Sequence, residues 1–445
     1  MKRIMKRMPL GAALFGAFVL AAPAWADMKL PLASAPAEQV GMSKQRLDRI
    51  QEVFKKEADE GRLPGAVIMV ARKGKIVHAS AVGFQDKDAG KAMAMDSVFR
   101  IYSMTKPLVS VAMMILVEEG KVQLTDPVSK FIPAFKGQRV SVAKADAEFA
   151  RVTYGTAPAD REMTVQDLLR HTAGLAYGEI TANAPVKDAY TKAGLYTPTV
   201  RDFDARALTP AEFSERLAAA PLAHQPGTYW EYSLASDLLG RVIEAASGKR
   251  LADYLDERIF KPLGMTDTGF HLPGDKSGRL AQAFATDPAS GLPNKLIDVA
   301  AVPGNDSGGA GAVSTAADYL RFTQMLLNGG QLDGVRILSR PTIQFMASDH
   351  LGTRIQASLT PGELLLGTPG YTFGLGFAVR QGAGVAGVHG SAGEFLWAGY
   401  AGTFFWVDPK EELGVVVMMQ MLPFYDASAL ETLQGVERRV YENLK

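Results

Sequence analysis

Ser103 and Lys106 lie three residues apart at the start of an apolar stretch, and together they could act as a nucleophile and its proton acceptor. The run from residue 108 to 117 is apolar except for one serine, which predicts a buried helix. Residues three apart on a helix share a face, with their Cβ atoms about 5–6 Å apart. A serine hydroxyl is a weak nucleophile that needs a neighbour to take its proton. The pair therefore predicts a serine nucleophile activated by lysine.

The same spacing recurs at Ser141 and Lys144, in a polar stretch with no apolar helix behind it. A Ser-x-x-Lys pair is expected by chance in a chain of 445 residues, so the spacing alone is weak evidence. We interpret the second copy as surface and use it as an internal control. The Ser103 copy gains weight only if other segments supply partners.

Two further stretches supply such partners. Residues 225–234 end in Tyr232-Ser233-Leu234, and residues 393–403 contain Trp397-Ala398-Gly399. With Ser103 and Lys106 they resemble the three sequence elements of the serine β-lactamase and penicillin-recognising superfamily. The resemblance is to its class C-like branch, and it is closest to the family VIII carboxylesterases. Residues 169–175 and 308–315 also look like family stretches, so the resemblance covers nearly all of the mature chain.

The resemblance implies an acyl-enzyme mechanism in which Ser103 attacks a carbonyl carbon. Tyr232 would act as general base together with Lys106, and the sequence leaves open which of the two takes the proton. A tyrosine with the ordinary pKa of about 10 is almost fully protonated at neutral pH, so it needs a cation beside it. The oxyanion hole would consist of the backbone N–H groups of Ser103 and Tyr400. The substrate would contact Tyr102, Leu234, Trp397, Ala398 and Gly399.

Two positions depart from the family pattern and bear on the substrate. Leu234 stands where an asparagine usually serves the substrate amide, and Trp397 stands where a lysine serves a carboxylate. Apolar groups at both positions favour an uncharged substrate. We therefore expect a serine hydrolase that cleaves short-chain carboxylic esters, with at most weak β-lactam hydrolysis. Tyr232 and Trp397 both lie in aromatic runs, where core packing is the commoner role, so their assignment depends on Ser103.

Three alternatives stay open. The same machinery suits a β-lactamase, or an amide hydrolase or acyltransferase of the DD-peptidase kind. A non-catalytic sensor that is acylated slowly and keeps its acyl group is also compatible with the motifs. A covalent adduct that persists for hours would favour the sensor.

The N-terminus predicts export. Four cations precede an apolar run from residue 10 to 22, and Ala24-Trp25-Ala26 forms an A-x-A cleavage site. We expect a signal peptide over residues 1–26, cleaved after Ala26, and a periplasmic or secreted protein; an interfacial anchor helix is the alternative. The chain contains no cysteine, which excludes a lipid anchor at the cleavage point, thiol nucleophiles and cysteine-based metal sites.

The charge composition limits the classes of molecule that the protein is expected to bind. Lys and Arg number 48 against 47 Asp and Glu, so the chain offers no broad basic field for nucleic acid. We expect a small-molecule ester as partner, no cofactor or metal, no stable membrane anchor after signal removal, and a monomer or small homo-oligomer.

The periodicity of the chain predicts an α+β fold, an antiparallel sheet flanked by helices, of the β-lactamase/transpeptidase type that the resemblance implies. Predicted strands lie near both ends: 66–71 and 76–82 as a hairpin, 372–379, 395–407 and 413–419. Predicted helices cover 43–61, 234–246, 251–260, a segment capped by Ser314, and 427–444. Two further helices are predicted to begin at residues 164 and 209. The expected division is a sheet domain of residues 27–102 and 310–445, and a mainly helical domain of residues 103–309 with the nucleophile helix at the interface.

Overall fold

The computed structural model describes residues 31–146, 151–197, 206–287, 291–422, 434–435 and 437–444. The predicted signal segment 1–26 lies outside the described residues, as does the start of the helix predicted for 427–444. Residues 437–441, within the described part of that segment, are helical. In the described ranges, no helix combines the length and apolarity that crossing a bilayer requires.

The described residues form one large antiparallel sheet and several short ribbons. The strands are Gly65–Arg72 (β1), Lys75–Asp86 (β2), Lys91–Ala92 (β3), Phe99–Arg100 (β4), Arg139–Asp146 (β5), Arg151–Pro158 (β6), Val313–Ser314 (β7), Gln331–Leu332 (β8), Val335–Arg336 (β9), Tyr371–Phe373 (β10), Ala378–Arg380 (β11), Phe395–Ala398 (β12), Phe404–Asp408 (β13) and Leu413–Met419 (β14). The large sheet has the order β10-β11-β12-β13-β14-β1-β2-β3. It therefore joins the two ends of the chain, with β1 hydrogen-bonded to both β14 and β2.

The two central strands, β1 and β14, show that the large sheet lies in the hydrophobic core. Every residue of β1 and β14 is buried, which requires cover on both faces of the sheet. Both strands are rich in valine, whose β-branched side chain packs well on a pleated surface. The turn from β1 to β2 uses Lys73 and Gly74, both with positive φ, as a tight two-residue hairpin requires.

Seven of the eleven α-helices of the described residues lie between β4 and β7. The α-helices of the described chain are Lys44–Asp59 (α1), Thr105–Glu118 (α2), Val165–Leu169 (α3), Ala184–Lys192 (α4), Pro210–Ala219 (α5), Ala235–Ser247 (α6), Leu251–Leu255 (α7), Lys261–Leu263 (α8), Ala316–Leu327 (α9), Arg340–Met346 (α10) and Pro361–Leu366 (α11). A π-helical turn, Asp256–Phe260, joins α7 to α8. Short 3-10 turns cover Ala37–Val40, Tyr102–Met104, Val128–Lys130, Pro133–Phe135 and Gly274–Arg279. Helix α2 packs against α6, while α1 and α9 pack on the large sheet.

The predicted α+β fold, an antiparallel sheet flanked by helices, is confirmed, and so is the first hairpin. Several boundaries were wrong. The stretches predicted as single strands over 372–379 and 395–407 are each two strands, because Gly374 and Gly399 begin turns within them. The cap of α9 is Thr315 rather than Ser314: its hydroxyl accepts from the N–H of Asp318. The division into two domains stays a prediction.

Candidate active site

The nucleophile turn is a strained and firmly anchored piece of backbone. Ser103 lies in the 3-10 turn before α2, where residues i and i+3 eclipse, so Lys106 projects beside it. Tyr102, the residue before the serine, has φ of +42°, a conformation that non-glycine residues rarely adopt. Such strain is characteristic of functional sites and persists only where the surroundings impose it. Tyr319 contributes here, donating a 2.9 Å hydrogen bond to the Met104 carbonyl.

Lys106 is buried, and its amine lies among three oxygen atoms. Nζ is 2.9 Å from the Ser103 hydroxyl, 2.7 Å from the Gly309 carbonyl and 3.2 Å from the Tyr177 hydroxyl. Burial lowers the pKa of the amine to about 7, although the negative charges of Asp237 and Glu179 oppose the shift. Near neutral pH the amine is therefore close to half neutral.

The three contacts satisfy the amine in both protonation states. The charged form donates its three N–H groups to the three oxygens. The neutral form has two N–H groups and one lone pair. It can donate to the carbonyl of Gly309 and the hydroxyl of Tyr177 while its lone pair accepts the Ser103 O–H. Proton transfer from Ser103 to Lys106 thus needs no rearrangement of heavy atoms.

Tyr232 lies against the same amine. Nζ of Lys106 sits 4.6 Å from the centre of the Tyr232 ring, within the range of a cation–π contact. The ring packs among those of Tyr177, His171 and Trp397, at centroid distances of 5.2, 5.0 and 5.3 Å. An aromatic cluster therefore fixes the phenol and keeps water away from the amine.

The third element brings the end of a strand to the nucleophile turn. Strand β12 carries Trp397 and ends at Ala398, and at the next residue, Gly399, a Cβ would overlap the carbonyl oxygen of Ile101. Only glycine allows this close approach. Next to it, the Tyr400 ring meets the Tyr102 ring edge-on, at a centroid distance of 5.8 Å.

The predicted site residues therefore lie together, but they differ in exposure. Ser103 and Tyr400 are half-buried, whereas Tyr102, Leu234 and Trp397 are almost fully buried. Ser103 and Tyr400 are therefore the predicted site residues that reach solvent. Leu234, at the start of α6, contributes to the buried core.

Sequence reasoning missed Tyr177, Gly309, Asp237 and His171. Tyr177 comes two residues after the family-like stretch 169–175, which was the available signal for it. His171 is buried, has φ of +56° and contacts the Ser233 hydroxyl at 3.0 Å through Nδ1. Burial and the nearby Lys106 lower the pKa of His171, so its ring is neutral.

The second Ser-x-x-Lys copy lies on a strand, not a helix. Ser141 and Lys144 both belong to β5, where residues three apart point to opposite faces. Lys144 is exposed as predicted, but the surface interpretation was wrong for Ser141, whose side chain is buried. In the described residues, no group of three or more His, Asp or Glu side chains is arranged to hold a metal ion.

Comparison with known proteins identifies the class. Residues 50–434 match the family model described as Beta-lactamase, and the chain belongs to that family. It is 35% identical to an uncharacterized protein of Mycobacterium tuberculosis over 398 residues, which is 87% of this chain and 94% of that protein.

Esterases are among the relatives. The chain is 32% identical to Esterase EstB of Burkholderia gladioli over 391 residues, covering 83% of this chain and 89% of EstB. Among solved structures it is similar to EstCE1, described as a hydrolase with promiscuous acyltransferase activity. That similarity has a TM-score of 0.72 at 28% identity and covers 89% of this chain and 99% of EstCE1. The chain thus has the β-lactamase/transpeptidase-like fold, with esterases among its relatives.

Proposed function

We propose that this protein is a secreted serine esterase that cleaves short-chain carboxylic esters through an acyl-enzyme intermediate. The observation that carries the proposal is the Lys106 amine, buried and 2.9 Å from the Ser103 hydroxyl, with a pKa lowered to about 7. A lysine held this way can take a proton at neutral pH, as general base catalysis requires.

The reaction proceeds in two halves. Ser103 Oγ bonds to the ester carbonyl carbon as its proton passes to Lys106 Nζ. The tetrahedral intermediate collapses, the C–O bond to the alcohol breaks, and Lys106 returns the proton to the leaving oxygen. Water then attacks the acyl carbon, gives its proton to Lys106, and the acid leaves as Ser103 regains its hydrogen.

The backbone N–H groups of Ser103 and Tyr400 stabilise the oxyanion in this proposal. Removing one such donor in other enzymes costs about 3–4 kcal/mol of transition-state stabilisation. Tyr232 assists proton transfer from its position against Lys106. Its phenol is the alternative base if the amine stays charged during turnover.

The substrate preference rests on two apolar positions. Leu234 and Trp397 offer neither an amide nor a cation to a β-lactam or a peptide terminus, so such substrates lose the groups that would recognise them. An uncharged ester has neither an amide nor a carboxylate, so its binding does not depend on those groups. The sequence similarity to Esterase EstB supports the same preference.

The test compares kcat/KM on p-nitrophenyl butyrate with kcat/KM on a chromogenic cephalosporin. The proposal predicts a much larger value on the ester, and dependence of both on Ser103. A much larger kcat/KM on the cephalosporin would overturn the assignment as an esterase. Ser141→Ala is the matched control, since it removes a serine with the same spacing to a lysine.

Acyl transfer is the second candidate. Its support is the similarity to EstCE1, whose description includes promiscuous acyltransferase activity, together with the aromatic cover over Lys106. Adding a short alcohol as acceptor and separating the products distinguishes the two. Ester exchange that exceeds hydrolysis would favour the transferase.

Export is part of the proposal. The mature protein begins after Ala26 and resides in the periplasm or outside the cell. The mass of the protein recovered from an expressing bacterium tests this, since an intact N-terminus would contradict it.

A further inference from the structure

Asp237 lies in the first turn of α6, and its side chain is buried. Its Oδ1 accepts two hydrogen bonds, 2.5 Å from the Ser307 hydroxyl and 3.1 Å from the Gly309 N–H. The carbonyl of that same Gly309 accepts the 2.7 Å hydrogen bond from the Lys106 amine. A single residue, Gly309, therefore links the carboxylate hydrogen bond to the lysine hydrogen bond, through its N–H on one side and its carbonyl on the other.

The loop that carries Gly309 is built for this approach. A Cβ on Gly309 would overlap the Asp237 carboxylate, and a Cβ on Gly308 would overlap the carbonyl of Ser236. The Ser307 hydroxyl, besides donating to Asp237, accepts from the Ala310 N–H at 3.0 Å. Glycine at both positions thus allows the loop to lie against the first turn of α6, and hydrogen bonds to Asp237 and Ser307 hold it there.

We propose that Asp237 is a positioning residue for Lys106: it fixes the Gly309 peptide that holds the amine, and its negative charge favours the charged form of that amine. The inference rests on the proposed function for its catalytic consequence. Its structural part, the effect on the amine, is independent of which ester the enzyme cleaves.

The groups that surround Lys106 and Asp237 determine what a substitution of Asp237 changes. Lys106 is faced by Asp237 from α6 and by Glu179, His171, Tyr177 and Tyr232 from the loops that cover it. Besides Lys106, Asp237 is near Arg241 one turn further along α6. Arg241 keeps its own partner when Asp237 is neutralised, because it also pairs with Glu244 at 2.7 Å.

The sign of the effect follows from these charges. A negative charge close to an amine raises its pKa and burial lowers it, and here burial is the larger influence. Removing the charge of Asp237 removes the opposing influence. The pKa of Lys106 in Asp237→Asn should therefore fall below its value of about 7 in the natural protein. The asparagine oxygen still accepts from Gly309, so the peptide stays in place.

The direct test is an NMR titration of lysine side chains in protein labelled at lysine Cε, with Lys106→Ala to assign the signal. We expect Lys106 to titrate near pH 7 in the natural protein and at lower pH in Asp237→Asn. Asp333→Asn, which neutralises an exposed acid paired with Arg321, should leave it unchanged. An unmoved Lys106 titration in Asp237→Asn would overturn the inference. If the asparagine variant fails to fold, Asp237→Ser provides a second neutral side chain with the same expected direction.

The kinetic counterpart separates this inference from the proposed function. The acidic limb of kcat/KM on p-nitrophenyl butyrate should move to lower pH in Asp237→Asn by the same amount as the titration. Asp237→Ala, which also releases the Gly309 peptide, should in addition lower kcat at least about tenfold through loss of the buried hydrogen bond.

If ester hydrolysis is absent from the natural protein, the proposed function fails while the titration still decides the role of Asp237. If hydrolysis depends on Ser103 and the limb does not move, only the inference fails.

Discussion

The hydroxyl of Tyr177 lies 3.2 Å from the amine of Lys106, which gives that lysine a third oxygen neighbour besides Ser103 and Gly309. A neutral amine has only two N–H groups, so it satisfies three oxygens only if one of them donates to its lone pair. Because the Gly309 carbonyl cannot donate, the donor must be a hydroxyl. The Ser103 hydroxyl is the nearer of the two at 2.9 Å, and when Tyr177 accepts an N–H of the amine the Ser103 proton is directed at the lone pair.

Tyr177→Phe should lower kcat on the ester by about 10–100-fold, since it removes one hydrogen bond from a buried group that changes charge during turnover. The ring and its packing against Tyr232 remain, so stability should change little. Steady-state kinetics on p-nitrophenyl butyrate measure the effect. Tyr154→Phe, at an exposed tyrosine of β6, is the matched control, and equal activity in the two variants would contradict a role for Tyr177.

Activity should rise with pH through about 7, because Lys106 accepts the serine proton only in its neutral form. Below the pKa of the amine, kcat/KM should fall tenfold for each pH unit. A pH profile of the natural enzyme measures this. Activity that instead falls as pH rises through 7 would mean that the charged amine is needed, and would make the Tyr232 phenol the base.

Tyr232→Phe should lower kcat by about 10³-fold or more if the phenol takes part in proton transfer, and by less if its ring serves only to exclude water. The hydroxyl is the only group removed, so packing against His171 and Trp397 is retained. Kinetics and thermal unfolding measured on the same preparation separate the two effects. A variant with full activity would remove Tyr232 from the mechanism.

Arg380→Ala should reduce the free energy of unfolding by about 3–5 kcal/mol, because it leaves a buried carboxylate without its cation. Arg380 and Glu394 are both fully buried and lie 3.0 Å apart across β11 and the approach to β12. Urea denaturation measures the loss. Lys44→Ala breaks an exposed pair with Asp48 and should cost less than about 1 kcal/mol, so similar losses in the two variants would contradict this account.

The sequence predicted the site best where chemistry depends on local spacing. Ser103 and Lys106 meet because a single turn of backbone places them, and no other segment is needed for that contact. The strands β1, β2 and β14 were predictable for a similar reason, since their apolar runs are continuous and bounded by turn residues.

Long-range contacts were the part that sequence could not supply. Asp237 reads as an ordinary first-turn acid of α6, and only the approach of the 307–311 loop connects it to Lys106. Tyr177 is similar, because its hydroxyl reaches the amine across 71 positions of chain. The turns that follow β10 and β12 were missed because each lies within a long apolar run, in which a single glycine is a weak signal for a turn.

The most direct test of the central claim is the mass of the protein quenched in acid during turnover of p-nitrophenyl butyrate. The account predicts a population heavier by one butyryl group in the natural protein and in Ser141→Ala, with the group located on Ser103, and no such population in Ser103→Ala. A butyryl adduct on another residue, or ester turnover that survives in Ser103→Ala, would contradict it.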